Sequence, residues 1–310
     1  MQWNGVIPAM TTAFHPDLSI DHEFMRQHAS WMLANGCTGL VMLGSLGEGA
    51  TLIEDEKVAI LHNITASVAG RAPVVAAISA LSTAGAVRLA KEAEQAGCAG
   101  LMVLPPYVYS SDWREMRAHV SAILAATPLS CMLYNNPIAY TTDFLPEQIA
   151  ELASSHENLH AVKESSADIR RVVAIRSLLA DRLSLLVGVD DAIVEGISAG
   201  AVGWIAGLVN ALPSESVALF HLASAGKREE AFELYRWFLP LLRMDTVPKF
   251  VQLIKYVQQE SGVGSARVRP PRLELEGEEL SDARQKLGHA LATRPHLNTI
   301  SFPESVGAPV

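Results

Sequence analysis

Seven lysines occur in the 310-residue chain, and six read as lying on helical or polar segments, where a charged amine is expected to be solvated. Lys163 is different. The run Leu159-His-Ala-Val-Lys-Glu reads as a strand that places Leu159, Ala161 and Lys163 on one face. An ammonium at the end of an apolar strand is poorly solvated, which disfavours its charged form and draws its pKa below the ordinary value of about 10.4. A neutral amine is the nucleophile that condenses with a carbonyl carbon to give an imine. The competing reading is a lysine ion-paired with Glu164 or another strand-end carboxylate.

Other groups stand where they can assist such an amine. Tyr134 ends the preceding apolar run, Cys131-Met-Leu-Tyr-Asn-Asn-Pro, and a phenol there can move protons to and from a forming carbinolamine. Gly44-Ser-Leu-Gly-Glu holds two glycines in five residues, which lets backbone N–H groups converge on an anion while Ser45 adds a hydroxyl. Gly188-Val-Asp-Asp follows another apolar run. Asp190 and Asp191 would repel a phosphate but can accept hydrogen bonds from substrate hydroxyl or amino groups; Asp190 serves equally as a helix cap. The ten histidines show no metal-ligand spacing, and no metal is expected.

Positioning these residues requires a repeated strand–helix unit. Short runs apolar on both faces suit parallel strands covered by helices. They recur at 6–10, 39–43, 74–78, 100–104, 130–134, 159–163, 183–187 and 203–206. Helical periodicity fills segments such as 21–35, 54–68, 83–96, 112–126 and 168–179, with Asp21 and Thr83 as candidate N-caps and Gly36 and Gly97 as stops. Asn35-Gly-Cys-Thr-Gly-Leu-Val-Met-Leu is echoed 61 residues later by Ala96-Gly-Cys-Ala-Gly-Leu-Met-Val-Leu, and more weakly by Ala199-Gly-Ala-Val-Gly-Trp-Ile-Ala. Eight such units predict a (β/α)8 TIM barrel over residues 1–225, with the reactive groups at the C-terminal ends of its strands. Residues 226–310 lose the alternation and read as a C-terminal helical extension packed on the barrel. An open doubly wound sheet fits less well, because no G-x-G-x-x-G follows the first strand.

Composition narrows the ligand. A chain 49% hydrophobic and 18% charged excludes disorder and coiled coil, and a net charge of −9 argues against nucleic acid or an anionic membrane as partner. Small molecules remain. Cys37, Cys98 and Cys131 are too few and too scattered for a disulfide framework or CxxC site. Residues 196–214 carry no charge, yet their glycines and Asn210 read as a helix end, a buried strand and a loop rather than a membrane span. No signal-peptide pattern opens the chain, so a cytoplasmic location is expected.

Gly44-Ser-Leu-Gly-Glu resembles the G-[TS]-T-G-E loop of the dihydrodipicolinate synthase / N-acetylneuraminate lyase family. Tyr134-Asn-Asn-Pro resembles its Y-N-x-P, and Val162-Lys-Glu-Ser-Ser its K-[ED]-x-[ST], in the same order and spacing from Gly5 to about Pro213. The resemblance implies a class I lyase in which Lys163 forms an imine with C2 of a 2-oxo acid and no other cofactor takes part. It further implies Tyr134 as proton relay, Ser45 as relay hydroxyl, and the amides of Ser45 and Leu46 holding the carboxylate, with Gly47 beside them among the substrate-binding residues. Tyr107 falls where the family has a tyrosine reaching into the neighbouring subunit, which carries with it an expected homo-oligomer, commonly a dimer of dimers. Ser165, Gly188, Asp190, Asp191 and Tyr140 complete the set expected to line the substrate.

Two departures bear on the substrate. Dihydrodipicolinate-forming synthases usually carry an arginine five residues after the relay tyrosine to hold a second carboxylate; that position is Ala139 here, followed by Tyr140. Leu46 replaces the loop's second hydroxyl. A catabolic member is therefore expected rather than a dihydrodipicolinate synthase. The nearest-looking subgroup is the 1-pyrroline-4-hydroxy-2-carboxylate deaminases, acting on a small cyclic imine. An aldolase or dehydratase of a 2-oxo-3-deoxy sugar acid is the rival, and a non-catalytic barrel that binds a 2-oxo acid is the alternative of another class.

Overall fold

The computed structural model describes residues 1–106 and 111–297. Its strands are β1 (Gly5–Pro8), β2 (Leu40–Met42), β3 (Val74–Ile78), β4 (Gly100–Val103), β5 (Ser130–Asn135), β6 (Leu159–Glu164), β7 (Ser184–Val187) and β8 (Gly203–Ala206). Each pairs in parallel with its sequence neighbour, and β1 pairs with β8 from Gly5↔Gly203 to Pro8↔Ala206. Between β1 and β2 the ring closes through a single bridge, Ala9↔Val41, with Met10 N–H donating to Val41 O at 2.9 Å. The protein is a (β/α)8 TIM barrel.

The strands are buried on both faces because the chain leaves no polar alternation in them; all five residues of β3 are buried. Helices end as the repeated Gly-Cys and Gly-Ala pairs dictate. Gly36, Gly97 and Gly200 take positive φ values of 93°, 82° and 104°. The next residue then donates back to a carbonyl five positions earlier: Cys37 to Met32 (3.2 Å), Cys98 to Ala93 (3.0 Å) and Ala201 to Gly196 (2.9 Å). This is the Schellman closure, and it turns the chain into β2, β4 and β8 alike. Asp21 caps the helix His22–Ala34 through Phe24 N–H at 2.9 Å. At the helix Thr83–Gln95 the cap is Ser82, one residue before the expected Thr83, and the Thr83 hydroxyl instead meets His119 Nδ1 at 3.0 Å.

The uncharged stretch 196–214 resolves into the end of the helix Ile193–Ser198, β8, a short turn at Leu208–Asn210 and the start of the helix Pro213–Ser224. Among the described residues no helix is long and apolar enough to cross a membrane. Beyond the barrel lie the helices Arg228–Leu242, Phe250–Glu260 and Gly277–Ala292. Leu234, Phe238, Leu241 and Ile254 join the same apolar cluster as the barrel residues. A turn at Arg243–Thr246 links the first two of these helices and lies against Asp190–Ala192, just past β7.

Candidate active site

The site is set by how β5 meets β6. Their pairing slips between Cys131 and Met132, from Cys131↔Leu159 to Met132↔Ala161, so that His160 is passed over. The slip brings Tyr134 opposite Lys163 at the C-terminal ends of the two strands. Lys163 is 6% exposed, and its Nζ stands 4.1 Å from the centroid of the Tyr134 ring. Its methylene chain crosses Gly188 at the exit of β7, where any Cβ would fall 2.4 Å from Lys163 Cε and 2.0 Å from Ser165 Oγ. Only glycine fits there. Ser165 Oγ is buried beside the Tyr134 phenol.

Glu164 does not pair with the lysine. It projects from the opposite face of β6, accepting from Asn135 Nδ2 (3.1 Å) and Ser166 N–H (2.7 Å). No carboxylate of the described residues comes within ion-pair distance of Lys163 Nζ. Burial therefore dominates its titration and pulls the amine down to about 8, opposed in part by the charges of Asp245 and Asp190. Burial also pushes the Tyr134 phenol up to about 12, so it stays protonated and able to donate. Asn136 Nδ2 donates to its oxygen at 2.9 Å.

The loop after β2 reaches the same place. Ser45 Oγ is hydrogen-bonded to the Tyr140 hydroxyl, and the Tyr140 ring meets Tyr134 edge-on, centroids 5.8 Å apart. Gly47 lies so close to β1 that a Cβ would sit 2.7 Å from Met10 O, while Thr12 Oγ1 donates to Gly47 O at 2.6 Å. The turn is closed by Glu48 and Gly49 N–H donating to Ser45 and Gly44 carbonyls, both at 3.1 Å. Among the described residues, the N–H groups of Ser45, Leu46 and Gly47 have no partner. Three successive free amides of this kind suit a carboxylate.

Glu48 anchors the loop from behind. It is fully buried in a left-handed conformation (φ 54°), with Lys255 Nζ 2.5 Å from Oε1 and Arg269 N–H 3.0 Å from Oε2. The helix Phe250–Glu260 thus holds the loop of free amides by a buried ion pair. Sequence reasoning passed over this pair because its members are 207 residues apart.

The β7 loop differs from expectation. Asp190, expected either to face substrate or to cap the next helix, does neither, because its carboxylate is saturated elsewhere: Oδ1 accepts from Trp204 Nε1 (2.9 Å) and Gly207 N–H (3.1 Å), and Oδ2 from Leu208 N–H (2.8 Å). It ties the ends of β7 and β8 together, and burial raises its pKa. The Asp191 side chain turns instead to Arg243 Nε, 3.6 Å away. A third carboxylate, Asp245, stands near Lys163 and Asp190, and no motif pointed to it. The only sequence signal was the break between two helical segments of the extension. Tyr107 lies outside the described residues. Ala139, at the arginine position, is exposed on the short helix Pro137–Tyr140.

Barrel, strand-end amine and apposed phenol together have the make-up of a class I lyase. Residues 2–290 match the Dihydrodipicolinate synthetase family, and the chain belongs to that family of lyases. It is 28% identical over 284 residues, 92% of this chain and 96% of the other, to the 4-hydroxy-tetrahydrodipicolinate synthase of Desulforamulus reducens. To the enzyme of the same name from Haloarcula marismortui it is 31% identical over 288 residues, covering 93% and 94% of the two chains. The solved structure of 4-hydroxy-tetrahydrodipicolinate synthase from Methylacidiphilum fumariolicum SolV superposes with a TM-score of 0.88 at 27% identity, over 94% of this chain and 98% of that one.

Proposed function

We propose that the protein is a Schiff-base lyase of a small 2-oxo acid or its cyclic imine, with 1-pyrroline-4-hydroxy-2-carboxylate the preferred substrate. The observation that carries this reading is the buried, unpaired amine of Lys163 against the protonated phenol of Tyr134. The free amides of Ser45, Leu46 and Gly47 would hold the C1 carboxylate. Lys163 would attack C2 of the ring imine, and the ring nitrogen would take a proton from Tyr134 and leave C2, opening the ring. Loss of a C3 proton then gives an enamine. Its electron pair expels the C4 hydroxyl, which departs as water once protonated. Tautomerisation and hydrolysis would release 2-oxoglutarate semialdehyde and ammonia and free the lysine.

Two features favour this substrate over the one named in the relatives. The absence of a guanidinium at Ala139 leaves nothing there to hold a second carboxylate. Two further carboxyl groups, Asp190 and Asp245, sit near the amine, and neither can pair with a second carboxylate as a guanidinium would. A coupled screen for ammonia, pyruvate and 2-oxoglutarate semialdehyde tests the assignment. Ammonia and semialdehyde from the pyrroline are expected. Pyruvate from 2-oxo-3-deoxy sugar acids, with no turnover of the pyrroline, would overturn it in favour of an aldolase. Consumption of pyruvate with aspartate semialdehyde would overturn it in favour of the reaction named in the relatives.

A further inference from the structure

The extension beyond the barrel places one carboxyl where a substrate would extend. Asp245 lies in the turn Arg243–Thr246, which packs against the Asp190–Ala192 turn. The turn is fastened on both sides. Arg243 Nε lies 3.6 Å from Asp191 Oδ2, and the Tyr235 hydroxyl donates to Asp191 O from the preceding helix. The Asp245 carboxyl rests on the backbone of Gly207 at the end of β8, so close that a Cβ on residue 207 would fall 2.0 Å from Oδ1 and 2.6 Å from Cγ. Glycine at 207 makes the room it occupies. Gly207 N–H is already committed to Asp190 at 3.1 Å, so it does not satisfy Asp245. Among the described residues, the Asp245 carboxyl accepts no hydrogen bond and forms no ion pair.

The Asp245 side chain is only partly buried, so its carboxyl is open to a hydrogen-bond donor from a ligand. The directions within the site say what that is. Ser45 and Tyr140 mark the side where free amides receive C1, and Lys163 holds C2 against β7. Carbon atoms beyond C3 then run toward β7 and β8, where Asp245 waits. We propose that Asp245 is the specificity residue of the site, its free carboxyl receiving the hydroxyl or amine that the substrate carries beyond C3. Asp190, saturated by Trp204, Gly207 and Leu208, has no oxygen left for that task. The assignment rests on Lys163 as the imine-forming residue.

Two probes differing only by a C4 hydroxyl, 2-oxobutanoate and 4-hydroxy-2-oxobutanoate, test it through borohydride trapping on Lys163. A hydrogen bond to the Asp245 carboxyl predicts that wild type reaches half-maximal labelling with the hydroxylated probe at a concentration about two- to tenfold lower. Asp245→Ala should bring the two half-maximal concentrations together; the comparison is made within each protein, so that any effect of the lost carboxyl on Lys163 bears on both probes alike. Asp245→Asn, closer in shape, should reduce the preference only in part and covers the case of poor folding by the alanine variant. An equal preference in wild type and both variants, or none in wild type, overturns the assignment alone. Labelling of Lys163 by neither probe overturns the imine reading and takes Asp245 with it.

Discussion

Replacing Glu48 by glutamine removes one charge from a pair sealed inside the protein. Lys255 and Glu48 are 2% and 0% exposed, so the ammonium left behind has no water to turn to. It keeps the Arg267 carbonyl at 2.7 Å and the Phe14 ring at 4.5 Å, neither of which carries a full negative charge. Breaking a buried pair from one side costs about 3–5 kcal/mol. For a chain of this size that corresponds to a fall in Tm of roughly 5–8 °C. Glu48→Gln/Lys255→Met, with neither charge present, should recover at least half of the loss, because the penalty arises from the orphaned ion. Glu48 also closes the turn that presents the Ser45, Leu46 and Gly47 amides. Glu48→Gln should therefore raise the 2-oxo acid concentration needed for half-maximal trapping while leaving the rate at saturation nearly unchanged. Thermal melts of the three proteins and trapping titrations supply both readouts. A single variant within about 1 kcal/mol of wild type, or a double variant less stable than the single, would refute the reasoning.

Further outcomes follow from the site geometry. Tyr134→Phe keeps the ring over Lys163 but removes the proton, and imine formation should slow by about 10²- to 10⁴-fold; stopped-flow absorbance that shows no change would assign the phenol no part. With Lys163 pulled down to about 8, the neutral amine should gain tenfold per pH unit up to that point and then level off. An ordinary amine near 10.5 would keep rising well past pH 9, so a rate–pH profile separates the two. Gly188→Ala drives a methyl group into Lys163 Cε and Ser165 Oγ, at 2.4 and 2.0 Å. Displacement of the lysine by about 1 Å should cost roughly 100-fold in imine formation, with circular dichroism unaltered; trapping at the wild-type rate would contradict the packing.

Much of the barrel was legible because its signals are local. Doubly apolar runs and glycine stops fix strands and helix ends within a few residues, as at β3 and β8, whose bounds match those read from the sequence. Helix caps were less secure, since the Ser82 and Thr83 hydroxyls are chemically equivalent acceptors for the same cap and only backbone geometry separates them. The approach of Tyr134 to Lys163 followed from strand order, but the slip past His160 that brings them opposite each other has no sequence mark. The carboxylates were the weakest part. A sequence pattern places Asp190 and Asp191 in the right loop, yet which oxygens are already taken depends on Trp204, Leu208 and Arg243, all remote in the pattern. Asp245 and the Glu48–Lys255 pair were invisible for the same reason: both come from the extension folding back on the barrel.

The most direct test of the central claim is chemical capture. Pyruvate and borohydride added to the intact protein should give one stable adduct by whole-protein mass, located by peptide mapping at Lys163 and lost in Lys163→Ala with its fold preserved. An adduct on another lysine, or none with any small 2-oxo acid, would contradict the account and leave a barrel that binds without bonding.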